Sequence, residues 1–283
     1  MSGAREPAAT PPMDPAQSLA MRLAIAAALL AFAVGLYARS LDMLRTDVPL
    51  QASNGRLLWL VVIVALVAFG LLISQLPLER ARSQSTNARP ATTAWSGGIL
   101  PALLTLTGIQ LIVWDSRAIV VIAAPLLVGA GVFTAGVVRH YLLAGDASVF
   151  SGARLVHVVL TGGVAFLSLA MLRAWMGGPV YTLVTTFAVS TLLLIQAFDG
   201  LRAFPIRRFA YALSGGIVVA QAALVLSYFP PSPWIGGAFL AIVFATVMLT
   251  TDAILERRIN TDVVMRYVGA GVAVSGLLVV LVR

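Results

Sequence analysis

Long hydrophobic segments alternate with short polar stretches along almost the whole chain. A helix that crosses the hydrocarbon core of a bilayer needs roughly 17 to 25 apolar residues, and nine segments of about that length are present. They are 21–38, 57–77, 98–114, 118–138, 155–175, 180–198, 209–229, 234–255 and 263–282. None shows the alternation, over about ten residues, of a barrel strand. Because every backbone amide in hydrocarbon needs an internal partner, the pattern predicts nine transmembrane helices.

The same pattern divides the chain into two parts. Residues 1–20 are rich in proline, alanine and small polar residues, which predicts a flexible cytoplasmic tail. Residues 21–283 are predicted to form a transmembrane helical domain. Since 60% of all residues are hydrophobic and 11% are charged, the composition is far from that of a soluble domain. The predicted fold is all-α, a polytopic transmembrane helical bundle of about nine spans.

The third to eighth segments form three successive helical hairpins of about 53 residues. The stretch LTGGV at 160–164 returns as LSGGI at 213–217, and Asp146, Asp199 and Asp252 follow one another at intervals of 53 residues. Two interpretations stay open: a duplicated hairpin, or the length that any two spans with short loops require. In both, the glycine pairs predict close helix contacts, because small residues let helix backbones approach each other in lipid.

The distribution of arginine predicts the orientation of the chain in the membrane. All 19 basic residues are arginine; if the spans alternate, 13 lie on the side of the N-terminus and six on the other side. Because basic residues collect in cytoplasmic loops, we expect the N-terminus inside and the C-terminus outside. Four of the five tryptophans fall at the predicted outer ends of their segments, where an indole ring suits the membrane interface.

Missing residue types exclude several chemistries. The chain has no cysteine, so it has no disulfide, no thiolate nucleophile and no cysteine-ligated metal centre. It has no lysine, which a retinal Schiff base and a P-loop both require. The arginines are scattered, so nucleic acid is not an expected partner. We expect no cofactor; the expected partners are the lipid bilayer and either other membrane subunits or further copies of the chain.

Ionisable residues lie at the ends of the segments and not near any segment's centre. The candidates for ion coupling or for polar pairs are Asp146, Asp199, Asp252, Arg154 and Arg207. A charge deep in a span is expensive and marks an ion or proton path. A position at the interface is explained by a solvated or arginine-paired helix end. We therefore prefer the second interpretation, and we take the absence of buried charge as an argument against an ion path.

Two histidines flank one predicted inner loop. His140 and His157 are the candidates for a bound cofactor, because imidazoles on adjacent helices ligate haem and metals; hydrogen-bonded interfacial histidines are the preferred alternative. The loop also holds Arg139, Asp146 and Arg154, and it is the place where a lipid-modifying enzyme would have its active site. A positive-inside loop carries arginines in any case, so no catalytic residue and no metal ligand is assigned.

Polar uncharged residues are scattered inside the predicted spans. Two interpretations apply to them: hydrogen bonds between helices, which we prefer, and the lining of a polar cavity. They are Gln110, Gln196, Gln221, Thr185, Thr186, Ser190, Thr191 and Thr246.

The C-terminal half carries a resemblance to known sequences. The stretch SYFPPSPWIGGAFLAIVF, followed by LERRINTDVVMRYVGAG, resembles the C-terminal part of a family of polytopic bacterial membrane proteins of unknown function. The resemblance implies a bacterial cytoplasmic membrane as the location. It implies no activity and transfers no binding or catalytic residue.

Three functions compete on this evidence. The leading hypothesis is a non-enzymatic protein of the inner membrane, an accessory or scaffold component of a membrane assembly or a lipid-associated protein. The first alternative is a permease for an apolar or weakly polar small molecule, which needs a cavity but no ionic coupling. The second is a membrane enzyme that modifies lipids.

Overall fold

The protein is helical throughout the part that the computed structural model describes: residues 15–40, 95–115, 117–144, 147–175, 178–201, 203–228, 231–256 and 261–281. These ranges contain no β-strand. A 3-10 turn, Ser96–Gly98, leads into the second helix. The helices are α1 (Pro15–Ser40), α2 (Ile99–Trp114), α3 (Ala118–Ala144), α4 (Ala147–Trp175), α5 (Pro179–Ala197), α6 (Pro205–Tyr228), α7 (Pro233–Leu255) and α8 (Thr261–Leu281). The predicted all-α fold is confirmed.

Seven of these helices, α1 to α7, are long and apolar enough to cross a membrane. The chain is therefore a multi-pass membrane protein. Helix α8 coincides with the ninth predicted segment, whereas the second, 57–77, lies outside the described residues, as do residues 1–14 of the predicted tail. Helix α1 begins at Pro15, before the predicted start of its segment, because proline fits the first position of a helix and the next residues do not break one.

Helix α2 is the central element of the described bundle. It contacts α1, α3, α4 and α5, and most of its residues are buried inside the protein. Its sequence, ILPALLTLTGIQLIVW, is mostly apolar and has no charged residue, as expected for a helix surrounded by other helices. Its 16 residues make it the shortest of the eight described α-helices.

Small residues join α1 to its neighbours. Alanines at positions 20, 24, 27 and 31 form a buried stripe along α1. A Cβ atom added at Gly129 or Gly136 of α3 would contact Ala28 or Ala20 of α1 at 3.3 and 3.2 Å. In a bilayer, helices associate by close packing and not by hydrophobic expulsion from water. The small side chains therefore provide the close approach that this packing requires.

The two glycine pairs of the hairpin repeat differ in their surroundings. A Cβ at Gly215 would meet Leu194 and Val247 at 2.7 Å, and a Cβ at Gly216 would overlap the hydroxyl of Thr191. At Gly162 and Gly163, no heavy atom of the described residues lies within 4 Å of such a Cβ. The predicted close contact is thus present at LSGGI. For LTGGV no close contact is present within the described residues, because the pair faces away from the described neighbouring helices, and there the prediction stays a prediction.

The described bundle has a cluster of aromatic rings towards one end and a buried cluster of ionisable residues at the other. Trp114, at the end of α2, and Trp234, at the start of α7, meet edge to face with ring centroids 5.4 Å apart, and the ring of Phe166 lies 6.0 Å from that of Trp234. We call this the aromatic end. The charged end lies at the opposite ends of the same helices and holds the ionisable residues described next.

Candidate functional site

Asp199 is the centre of a buried polar cluster at the charged end. It follows the last turn of α5, where Gly200 takes a left-handed conformation (φ 78°) and redirects the chain; glycine tolerates that conformation without steric cost. The Asp199 side chain is fully buried. Ser96 Oγ donates to it, lying 2.7 Å from Oδ2 and 3.0 Å from Oδ1. The aspartate thereby ties the end of α5 to the entry of α2.

Arg139, near the end of α3, supplies the opposite charge. Its Nε lies 3.4 Å from Asp199 Oδ2, and its Nη2 donates to Ser96 Oγ at 3.2 Å. The Arg139 side chain is 5% exposed, so this ion pair is shielded from solvent. Gly97 makes room for it, because a Cβ at that position would overlap the guanidinium. A larger residue at position 97 would therefore displace the Arg139 guanidinium from the ion pair.

A second ion pair adjoins the first. Arg154 Nη2, on α4, donates to Asp252 Oδ1, on α7, at 2.6 Å. Arg154 Nη1 donates to the carbonyl oxygens of Ala197 at 2.6 Å and Asp199 at 3.4 Å. The carbonyls at the end of a helix have no partner within the helix. Arg154 thus caps α5 and at the same time fixes α4 to α7.

His157 and Gln196 extend the cluster towards the interior. His157 Nε2 lies 3.1 Å from the carbonyl oxygen of Gln196, and Gln196 Oε1 accepts a hydrogen bond of 2.6 Å from the Leu100 amide. That amide belongs to the first turn of α2, which lacks intrahelical acceptors. Arg208, fully buried on α6, donates from Nη1 to the Phe198 carbonyl at 3.2 Å. We call Ser96, Arg139, Arg154, His157, Gln196, Asp199, Arg208 and Asp252 the polar lock.

The other predicted site residues have different places. Arg207 is exposed, with its guanidinium carbon 6.0 Å from the ring centroid of Phe204. His140 is half-buried, and its ring packs against that of Tyr141, with centroids 5.6 Å apart. Asp146 lies outside the described residues. The structure brings Arg154 and Asp252 together and places His157 beside them, but no described contact joins Arg207 or His140 to the lock.

The prediction that no charge is buried is wrong. Charge is buried in this bundle, because Asp199, Arg139 and Arg208 are all buried residues. The sequence does not show how deeply a residue at the end of a segment is buried. That depth depends on the loops and helix ends that pack over the residue. Ser96 and Arg208 received no role from the sequence. Both the role of Ser96 and the burial of Arg139 depend on how the Ser96–Gly98 turn packs against the ends of α3 and α5.

The polar lock combines ion pairs with hydrogen bonds to the main chain. Two carboxylates face three guanidinium groups, and Arg154 and Arg208 also donate to main-chain carbonyls at the end of α5. Buried charges are tolerated when they are paired and hydrogen-bonded. Among the described residues, no three histidine, aspartate or glutamate side chains are grouped to hold a metal ion. The arrangement therefore suits the joining of helices.

A comparison with protein families gives a match over most of the chain. The model of a family described as "Protein of unknown function (DUF5656)" matches residues 38–281. The match extends well beyond the C-terminal half that carried the resemblance. Searches of curated proteins and of solved structures gave no match.

Proposed function

We propose that this chain, which belongs to the family described as protein of unknown function (DUF5656), is a non-enzymatic accessory or scaffold component of a membrane assembly. It acts through helix contacts at its lipid-facing surface. We place it in a bacterial inner membrane with the N-terminus in the cytoplasm, on the arginine distribution and the resemblance described above. The observation that carries the proposal is an open glycine face on α4.

This face is formed by Gly152, Gly162 and Gly163. At each position, the space that a Cβ would occupy has no heavy atom of the described residues within 4 Å. Glycine is unfavourable inside a helix, and its small side chain does not improve packing against lipid. It does improve packing against another helix, because the two backbones can approach closely. The open glycine face therefore fits a helix of a partner membrane protein.

The polar lock supports the same proposal from inside the protein. Its two ion pairs form between residues of the same chain, and its contacts connect the Ser96–Gly98 turn with α3, α4, α5, α6 and α7. Such connections fix the relative positions of the helices. A rigid bundle presents a constant surface, which is what an assembly component needs.

The test compares a leucine on the open glycine face with a leucine elsewhere. Gly163→Leu adds a side chain where the described structure leaves space, so the bundle itself should fold normally. Ala130→Leu is the matched control, because Ala130 is exposed on α3. The two variants and the unaltered protein are extracted in native membrane patches, and all bound proteins and lipids are identified by mass spectrometry.

We expect a stoichiometric partner protein that is retained by the unaltered chain and by Ala130→Leu but lost from Gly163→Leu. Retention of the same partner by Gly163→Leu would contradict the role of the open glycine face. Recovery of the unaltered chain without any stoichiometric protein would contradict the scaffold function itself. Cross-links from position 163 to a peptide of the same molecule would assign the face to an internal contact and also count against the proposal.

A further inference from the structure

Three helices that contact one another carry buried polar side chains. Helices α2, α4 and α5 all contact one another, and each has hydroxyl or amide side chains among its buried residues. One direct link joins two of these helices: Thr107 Oγ1, on α2, lies 3.0 Å from Ser168 Oγ, on α4. The residues are Thr107, Gln110, Thr161, Ser168, Thr186 and Ser190, which we call the polar seam.

Ser190 lies in the middle part of α5 and has an unsatisfied hydroxyl. Its side chain is fully buried, and its Oγ has no hydrogen-bond partner among the described residues. Hydroxyls in other helices of the bundle bond to the carbonyl one turn earlier, as Thr161 does to His157 and Thr105 to Pro101. Ser190 does not make this bond. A buried hydroxyl without a hydrogen-bond partner costs free energy. We therefore expect Ser190 Oγ to bond to a group other than the described protein atoms.

A second unsatisfied atom lies towards the charged end. His157 Nδ1 is buried and has no hydrogen-bond partner within the described part of the chain, although Nε2 of the same ring faces the Gln196 carbonyl. His157 and Thr161 are one turn apart on α4 and are both buried. Unsatisfied polar atoms thus occur on both α4 and α5.

We propose that the polar seam is an internal binding site for small uncharged molecules that form hydrogen bonds, with water as the smallest. The seam's own groups are hydroxyls and an amide, which bind donors and acceptors alike. A charged solute would need an opposite charge beside it in the low-dielectric interior. Within the described residues, the two ion pairs of the bundle interior, Asp199 with Arg139 and Asp252 with Arg154, belong to the polar lock and not to the seam.

This inference goes beyond the proposed scaffold function and does not depend on it. A protein that acts through its surface needs no hydrated interior, and a solute site inside the bundle needs no partner protein. The experiment below records the accessibility of the seam alone. Its result is therefore independent of partner capture.

Cysteine accessibility tests the proposal directly, because the natural chain has no cysteine. Ser190→Cys keeps the size of the side chain and places a thiol in the seam. Ala188→Cys is the matched control, since Ala188 lies two residues away on α5 and is exposed, that is, facing lipid. Methanethiosulfonates react with the thiolate, which forms where water reaches the sulfur. Labelling in native membranes is followed by intact mass, first with the small uncharged methyl reagent and then with the anionic sulfonatoethyl reagent.

We expect the methyl reagent to label Ser190→Cys faster than Ala188→Cys, because the thiol ionises to the reactive thiolate where water reaches it, and the anionic reagent to label Ser190→Cys much more slowly. Equal rates at the two positions, with full labelling of both after unfolding in detergent, would overturn the proposal. Equally fast labelling by the anionic reagent would overturn the restriction to uncharged molecules. If Ser190→Cys fails to accumulate, Thr186→Cys, at a buried position one turn away, replaces it in the same comparison.

Discussion

The buried pair of Asp199 and Arg139 allows a quantitative prediction. Asp199 is 0% exposed and Arg139 5% exposed, with 3.4 Å between Nε and Oδ2. Replacing one partner of a buried ion pair leaves the other charge in a low-dielectric site and costs roughly 3 to 5 kcal/mol. Asp199→Asn retains an acceptor for Ser96 Oγ, so we expect the free energy of unfolding to fall by about 3 kcal/mol, the lower limit of that range.

A double substitution separates the cost of an uncompensated charge from the value of the pair. Replacing both side chains, as in Arg139→Met with Asp199→Leu, removes both charges and keeps most of the volume. Apolar replacement of a whole buried pair is often neutral or stabilising. We therefore expect the double variant to unfold within about 1 kcal/mol of the unaltered protein, and the double-mutant cycle to show strong coupling.

The assay is reversible unfolding in mixed micelles of a mild detergent and sodium dodecyl sulfate, followed by circular dichroism. Asp115→Asn is the matched control, because Asp115 pairs locally with Arg117, whose side chain is 80% exposed. That control should change stability by less than about 0.5 kcal/mol. If Asp199→Asn were as stable as Asp115→Asn, or if the double variant were no better than the single one, the assignment of the lock as a buried ionic connection would be refuted.

Three further predictions concern packing, orientation and the histidine. Gly237→Ala should lower the free energy of unfolding by about 1 to 3 kcal/mol, because its Cβ would meet Ala170 Cβ at 2.5 Å and Ala170 Cα at 2.7 Å; Gly163→Ala, in open space, should be neutral or stabilising in the same titration. A single cysteine replacing Ser232 should react with a membrane-impermeant maleimide on whole cells and one replacing Gly145 should not, and the reverse would overturn the proposed orientation. His157→Ala should cost about 1 kcal/mol through the lost contact with the Gln196 carbonyl; a loss of metal from the purified protein, measured by mass spectrometry, would instead show that the histidine is a ligand.

The sequence by itself determined the class of the protein and most of its helices. Spans are set by the thickness of hydrocarbon and by the need to satisfy every backbone amide locally. Both conditions act on contiguous residues, so a run such as 234–255 is recognisable without its neighbours. The helix beginning at Pro233 and ending at Leu255 agrees with it to within one residue at its start. Helices that continue into polar sequence, as α4 does back to Ala147, were predicted too short. Hydropathy identifies only the apolar residues that cross the membrane, and a helix can extend beyond them.

The tertiary structure alone decided which polar residues meet and at what depth. Asp199 and Asp252 hold equivalent places in the predicted hairpins, yet Asp199 is fully buried beside Arg139 and Asp252 is 22% exposed beside Arg154. The stretches LTGGV and LSGGI are nearly identical. Within the described residues, however, the glycines of LTGGV face open space and those of LSGGI pack against side chains of other helices. Burial and partnership depend on residues far away along the chain, such as Ser96, which lies 103 positions before Asp199. No local pattern encodes a contact at that separation, because it exists only after the helices have packed.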